Sequence, residues 1–330
     1  MKILVLGGTV FLGRALTDAA LAANHELTHF NRGRAPDARV KTIVGDRRDE
    51  EALGRAARAG PWDIVIDTSG YLPQAVAQSV AALRDAATYL FVSSISVYTE
   101  DQGCDEASPV QPAPNPLPEA MKIEQYGALK AACEAVVRDA FGERAAVVRP
   151  GLIVGPHDPT DRFTWWPHRI ALGGRVAAPG RPQRKVQFID VRDLAAWTIS
   201  LASQRAAGTF NATGTPVAMG ELLEACRAVA GNDARLEWID EAFLAANEVS
   251  GWKDMPVWLP ESDAGEDHFM KVPVERARVA GLGFRPLRET VADTLAWSRT
   301  RDPAHAWKAG LTEARERALL AGWDATHAAG

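Results

Sequence analysis

The chain is poor in cysteine and tyrosine. Its 330 residues include three cysteines, Cys104, Cys133 and Cys226, too scattered for a disulfide framework or a zinc site. No metal site is expected. The four tyrosines are Tyr71, Tyr89, Tyr98 and Tyr126. None lies beyond position 126, so chemistry that needs a phenol has a short list of candidates. No apolar run reaches the roughly 18 residues of a membrane span. Met1–Leu6 runs directly into Gly7-Gly8, without a signal peptide's long apolar stretch and small-residue cleavage site. A cytoplasmic location with no membrane partner is the expectation. Excess basic charge is lacking too. Lys and Arg total 37 against 42 Asp and Glu, a net charge of −5, so no nucleic acid is expected as a partner. Apolar residues, by contrast, reach 47%, enough for a sizeable core, and there are ten tryptophans. The length suits one large or two modest domains.

The first half alternates short β-rich runs with helical patterns. Strands are expected at Ile3–Leu6, Glu26–Phe30, Val40–Val44, Ile64–Ile66, Tyr89–Val92 and Ala146–Arg149. Helices are expected at Gly13–Ala23, Glu50–Ala59, Gln74–Arg84 and Gln125–Phe141. Alternation with continuously apolar strands predicts a parallel sheet covered on both faces, doubly wound by the right-handed crossover rule. Five prolines (109, 112, 114, 116, 118) make 108–118 a loop or extended lid. Beyond Pro150 a strand is expected at Val186–Ile189, with helices at Asp193–Ser203, Met219–Ala230, Arg288–Thr300 and Leu311–Ala321. The fold class is therefore α/β. A dinucleotide-binding domain over 1–155 receives elements from 186–215, and a smaller mixed α/β cap over 156–330 takes the substrate.

Gly7-Gly8-Thr9-Val10-Phe11-Leu12-Gly13 joins the first strand to the first helix. Backbone N–H groups and the helix dipole there suit a pyrophosphate. Gly7, Thr9, Phe11, Leu12 and Gly13 are candidate cofactor contacts. The usual spacing puts glycine at position 10, where this chain has Val10. A β-branched residue takes positive φ only at a cost, so either the loop follows a different path or Val10 points away. At the end of the second strand an acidic residue selects NAD and an arginine admits the 2′-phosphate of NADP. Phe30-Asn31-Arg32-Gly33-Arg34 has no carboxylate. This predicts NADP preferred over NAD, through Asn31 and Arg32 with Arg34 in support. Asp46 and Arg47, after the third strand, are adenine-side candidates. Thr68 and Ser69 stand at the carboxyl end of the fourth strand, where such sheets bind ligands.

Tyr126-Gly127-Ala128-Leu129-Lys130 puts a phenol and an ammonium on one helical face. A free tyrosine has a pKa of about 10, and a neighbouring cation lowers it toward the working range. Ser94 ends the fifth strand, where its hydroxyl can hold a substrate oxygen beside the phenol. The same residue types at i, i+4 also occur as surface pairs, and a Ser-Ser pair also occurs as a plain strand-end turn.

Taken together, the sequence resembles the extended short-chain dehydrogenase/reductase family, the NAD-dependent epimerase/dehydratase group. The resemblance covers most of the chain. It rests on the Gly7–Gly13 loop, Gly45-Asp46, Ser93–Tyr98, Tyr126–Lys130, Arg149-Pro150, Val154-Gly155-Pro156, Gln187–Ala195 and Thr209-Phe210-Asn211. It implies a Rossmann-type fold, with Tyr126 as acid/base, Lys130 as its activator and ribose anchor, and Ser94 as substrate-oxygen binder. Pro150 joins the cofactor contacts, and dimerisation through helices flanking the tyrosine is implied.

Many relatives hold a nucleotide diphosphate with two arginines. This chain has Val186 at one position and Glu261-Ser262-Asp263-Ala264-Gly265 at the other. A buried diphosphate without charge-assisted partners is costly, although Arg184 or Lys185 could substitute. Tyr71, Ser96, Arg162 and Trp165 are candidate substrate contacts, the tryptophan either as an apolar or sugar-stacking wall or as a core or interface residue. The leading expectation is an NAD(P)-dependent oxidoreductase acting on a carbonyl or secondary alcohol of a small molecule. The first alternative is a sugar or nucleotide-sugar epimerase/dehydratase with tightly bound NAD. The second is a non-catalytic RNA-binding relative, since the Gly-Gly-Thr-x-Phe loop is similar to an atypical branch that includes chloroplast stem-loop RNA-binding proteins.

Overall fold

A computed structural model describes residues 1–99, 104–262 and 267–327. Along the chain run β1 (Lys2–Leu6), α1 (Leu12–Ala22), β2 (Glu26–Asn31), β3 (Lys41–Val44), α2 (Glu50–Arg58), β4 (Ile64–Asp67), α3 (Pro73–Ala82) and β5 (Thr88–Val92). Then come α4 (Tyr126–Phe141), β6 (Ala145–Pro150), β7 (Leu152–Val154), α5 (Trp165–Ala171), β8 (Arg175–Pro179), β9 (Lys185–Val186), β10 (Phe188–Asp190), α6 (Val191–Ser203) and β11 (Gly208–Ala212). The remainder is β12 (Val217–Ala218), α7 (Met219–Ala230), β13 (Arg235–Ile239), α8 (Glu241–Ala246), α9 (Glu275–Val279), α10 (Leu287–Ser298) and α11 (Glu313–His327).

The chain divides into two compact units. The first holds 1–151, 191–213 and 272–283. Its seven parallel strands lie in the order β11-β6-β5-β4-β1-β2-β3. Order reverses between β1 and β4, so the ligand crevice of such a sheet opens over their carboxyl ends. Strands covered on both faces must be apolar throughout, and β4, β5 and β6 are buried at every residue. α1 buries Leu12, Gly13, Leu16 and Ala20, spaced for one helical face. A core of Leu4, Leu6, Phe30, Leu53, Val65, Val76, Phe91 and Val137 fixes the strand ends. The chain returns to this unit through α6 and β11, and again at 272–283 with α9.

The second unit holds 152–190, 214–271 and 284–330. It contains three strand pairs, β10 with β7, β12 with β9, and β13 with β8. Phe163, Trp166, Ile170, Val176, Leu222, Leu223 and Trp258 form its core. The single strand expected at Val186–Ile189 is interrupted. Gln187 is buried between β9 and β10 and donates through Nε2 to the Gly214 carbonyl, 2.7 Å away. Among the described residues no helix is long and apolar enough to cross a membrane.

Candidate functional site

The loop after β1 solves the Val10 problem by moving the strain. Gly7 and Gly8 take φ of 113° and 95°, and the next positive φ falls on Phe11 at 39°. Val10 keeps an ordinary φ and is 64% exposed, so its side chain points away from the turn. Two glycines are needed for close approach. A Cβ on Gly8 would lie 2.5 Å from the His29 ring, and one on Gly13 would lie 2.6 Å from Gly8 Cα. In the first turn of α1 the Gly13 amide donates to the Val10 carbonyl at 2.8 Å, which leaves the Leu12 and Arg14 amides without a backbone acceptor among the described residues. Beneath the loop, Thr17 Oγ1 lies 2.8 Å from His29 Nε2 and donates to the Gly13 carbonyl at 2.9 Å. His29 is buried, which pushes its pKa down and keeps it neutral. The expected contacts Thr9 and Phe11 are partly exposed on this loop, whereas the Leu12 side chain turns into the core.

Asn31 makes two internal hydrogen bonds that the sequence does not show. Its Nδ2 donates to the Gly7 carbonyl at 3.0 Å, and its Oδ1 accepts from the Gly33 amide at 2.8 Å. The side chain braces the Gly7–Gly13 loop against the next turn. Arg32 and Arg34 are exposed and make no hydrogen bond or ion pair among the described residues. Asp46 accepts from the Arg48 amide at 2.9 Å and faces the Arg48 guanidinium. Those hydrogen bonds, helped by the charge of Arg32, hold its carboxyl below the usual range. The Arg47 side chain turns inward instead of toward a nucleotide. It forks onto Asp67 at 2.8 and 2.7 Å, and its Nη2 donates to Ser79 Oγ at 2.9 Å. Asp67 also accepts from the Tyr89 hydroxyl at 2.9 Å and the Ser69 amide at 3.0 Å. Burial pushes its pKa up, but Arg47 and these donors outweigh that and hold it below the carboxylate range. Thr68 and Ser69 hydroxyls both donate to the Leu6 carbonyl, tying the ends of β1 and β4 together.

Ser94, Tyr126 and Lys130 all lie in this unit, at the end of β5 and the start of α4. Ser94 Oγ accepts from the Ser96 amide at 3.1 Å and lies 3.1 Å from Ser96 Oγ, starting the single turn Ile95–Val97. A Cβ on Gly127 would lie only 2.0 Å from the Ser96 carbonyl oxygen. That glycine lets α4 abut the serine turn and places Tyr126 beside it. Lys130 is buried and donates to the Gly70 carbonyl at 2.9 Å and the Val92 carbonyl at 2.6 Å. Burial lowers its pKa to about 8 against the pull of Asp67, Cys133 and Glu134. Its ammonium lies 5.4 Å from the Tyr71 ring centre, and the Tyr71 and Tyr126 rings are 6.4 Å apart. Tyr71 is 44% exposed, so an aromatic edge flanks the phenol and ammonium. Pro150 ends β6.

The candidate contacts in the second unit separate. Arg162 stacks over Trp252 at 5.1 Å. Trp165 is 4% exposed, T-stacked on Trp166 and covered by Gly310, so its indole is core packing and not a pocket wall. Arg184 Nε and Nη2 donate to the Leu259 and Pro260 carbonyls at 2.8 and 3.1 Å, and Val186 is fully buried. Of the Glu261–Gly265 stretch, positions 263–265 lie outside the described residues. Sequence reasoning also missed Asp67, His29, and the buried group Glu134, Arg149, Tyr98 and Asn211. For His29, Asp67 and Arg149 the available signal was a polar residue inside an otherwise apolar strand.

The model of the NAD dependent epimerase/dehydratase family matches residues 3–212. The chain is 26% identical over 252 residues to the Arabidopsis thaliana "chloroplast stem-loop binding protein of 41 kDa b, chloroplastic", covering 70% of this chain and 63% of that protein. It is 29% identical over 262 residues to the 2-alkyl-3-oxoalkanoate reductase of Stenotrophomonas maltophilia, covering 70% and 76%. The fold is shared with UDP-glucose 4-epimerase of Thermus thermophilus, solved in complex with NAD. The TM-score is 0.62 at 18% identity, over 92% of this chain and 100% of that one.

Proposed function

The chain belongs to the NAD-dependent epimerase/dehydratase family, within the extended short-chain dehydrogenases/reductases, and we propose that it is an NADP(H)-preferring reductase of a small carbonyl compound. The observation that carries this is the docking of Tyr126 and Lys130 on α4 against the Ser94 turn, at the carboxyl edge of the sheet. The residues fit a dinucleotide. The glycine-crowded turn leaves the Leu12 and Arg14 amides without a backbone acceptor among the described residues, and the end of β2 offers Arg32 and Arg34 but no carboxylate. A bound nicotinamide dinucleotide supplies the hydride. Ser94 donates a hydrogen bond to the carbonyl oxygen, and Tyr126 delivers the proton to that oxygen. Lys130, while cationic, favours the phenolate left behind.

Reduction is favoured over nucleotide-sugar epimerisation by the second unit. Val186 is buried and uncharged, and Arg184 is engaged by two backbone carbonyls. The relative named as a 2-alkyl-3-oxoalkanoate reductase makes 3-oxo acids the substrate class to try first. We propose a small molecule and not nucleic acid as the partner, in keeping with the net charge of −5. The test is NADPH consumption with 2-alkyl-3-oxo acids by wild type and Tyr126→Phe. Wild type should turn over, and the variant should lose turnover while binding NADPH unchanged. Full turnover by Tyr126→Phe refutes the assignment. Co-purified NAD with no net consumption of NADPH would support the epimerase reading instead.

A further inference from the structure

We propose that Tyr98 and Arg149 are positioning residues that set the spacing of the Ser94 hydroxyl and the Tyr126 phenol. The proposal rests on the catalytic reading above. Its basis is the way one face of α4 is fastened to the segment 92–98. Three residues of the helix, spaced i, i+3, i+7, make the attachments. Gly127 meets the Ser96 carbonyl, Lys130 donates to the Val92 carbonyl, and Glu134 receives the Arg149 fork. The first two attachments belong to the reacting end. The third is remote from it and buried, apart from the half-exposed Arg138, which also pairs with Glu134 at 3.1 Å.

That third attachment is a continuous chain of buried partners. Arg149 Nε and Nη2 donate to the two Glu134 oxygens at 2.9 and 2.7 Å, and its Nη1 donates to the Tyr98 hydroxyl at 2.9 Å. The Tyr98 hydroxyl donates onward to Asn211 Oδ1 at 2.6 Å. Asn211 Nδ2 donates to the Cys104 and Pro273 carbonyls at 2.8 and 3.1 Å. Tyr98, Glu134 and Asn211 are fully buried, and Arg149 is 2% exposed. Tyr98 closes the turn that Ser94 opens, its amide donating to the Ile95 carbonyl at 3.2 Å. Arg149 therefore grips both partners, the serine turn through Tyr98 and the tyrosine helix through Glu134. A planar fork with all three nitrogens engaged resists rotation, so relative movement of the two segments breaks at least one buried hydrogen bond.

The consequence is catalytic, because a misplacement of about 1 Å at reacting atoms can cost about 100-fold in rate. Tyr98→Phe keeps the ring and removes only the link from Arg149 to Asn211. Arg149→Lys keeps the charge beside Glu134 but loses the fork. Each variant is assayed beside wild type and Tyr126→Phe, with NADPH and a 2-alkyl-3-oxo acid, well below its melting temperature. Both should lose about 10- to 100-fold in kcat, with the Kd for NADPH and the KM unchanged. Arg149→Lys guards against Tyr98→Phe failing to fold. Wild-type kcat in either folded variant, with only thermal stability lowered, overturns the proposal. So does a loss confined to KM or to the Kd for NADPH. If Tyr126→Phe also keeps its turnover, the catalytic reading itself is refuted. If Tyr126→Phe is dead while Tyr98→Phe and Arg149→Lys are normal, only the positioning role fails.

Discussion

Replacing Asp67 by Asn tests whether the pair beneath the crevice is what holds its floor. The carboxylate is fully buried and takes four hydrogen bonds, two from Arg47, one from Tyr89 and one from the Ser69 amide. An amide at that position has one acceptor oxygen and turns an NH2 toward donors. It also leaves the Arg47 guanidinium, 13% exposed, with no anion. Breaking a buried ion pair from one side costs about 3–5 kcal/mol, a large part of the roughly 5–15 kcal/mol that stabilises a typical protein. Equilibrium urea unfolding followed by far-UV circular dichroism should show that loss. The cost comes from an uncompensated charge, so Asp67→Leu with Arg47→Met should recover most of it. A loss under about 1 kcal/mol for Asp67→Asn, or additive losses in the double variant, refutes the reasoning.

The same pair has a pH signature. The folded-state pKa of Asp67 lies below its unfolded value, so its contribution to stability is present above the unfolded pKa, near 4. It is lost as pH falls through the lower folded value. Wild type should therefore lose more stability than Asp67→Asn on acidification below pH 4. The pair also connects to Lys130 through the backbone. The Ser69 amide bonded to Asp67 precedes Gly70, whose carbonyl receives Lys130.

Two further outcomes are expected. Lys130 is cationic only below about pH 8, because burial depresses it, so kcat/KM for reduction should fall through that pH and the transition should vanish in Lys130→Met. In the same range wild type gains stability relative to that variant as pH rises from 8 toward 10, since the unfolded chain still binds the proton that the folded one has released. Arg32→Ala should raise the Kd for NADPH about tenfold, the worth of one charge-assisted hydrogen bond, and leave that for NADH unchanged. Equal effects on both cofactors, measured by fluorescence titration, count against a 2′-phosphate role for Arg32.

What is legible in the sequence is local. The Gly7–Gly13 loop lies between one strand and one helix, so its role can be read from neighbours in the chain. Tyr126 and Lys130 share a helical face by spacing alone. The internal bonds of Asn31 and Arg47 are not legible because their partners are distant in the sequence. Gly7 is 24 positions from Asn31 and Asp67 is 20 from Arg47, and only the finished sheet brings them together. Trp165 is left open between two readings for a related reason. Tryptophan suits a pocket wall and a core equally, and the second unit buries it against Trp166 and Gly310.

The buried polar groups follow a rule that needs only the strand pattern. In a parallel sheet covered on both faces, a strand has no solvent side on which to hide a polar residue. His29 within β2, Asp67 at the end of β4 and Arg149 within β6 each interrupt an apolar run. Each must therefore find a partner inside the protein, since an unmet buried polar group costs about 1–3 kcal/mol or more. His29 meets Thr17 under the Gly7–Gly13 loop, Asp67 meets Arg47 under the crevice, and Arg149 meets Glu134 and Tyr98 behind α4. All three interruptions lie behind the crevice at the carboxyl end of the sheet. A polar residue in that half of a buried strand thus marks a buried tie beneath the crevice, and its partner is the next residue to mutate.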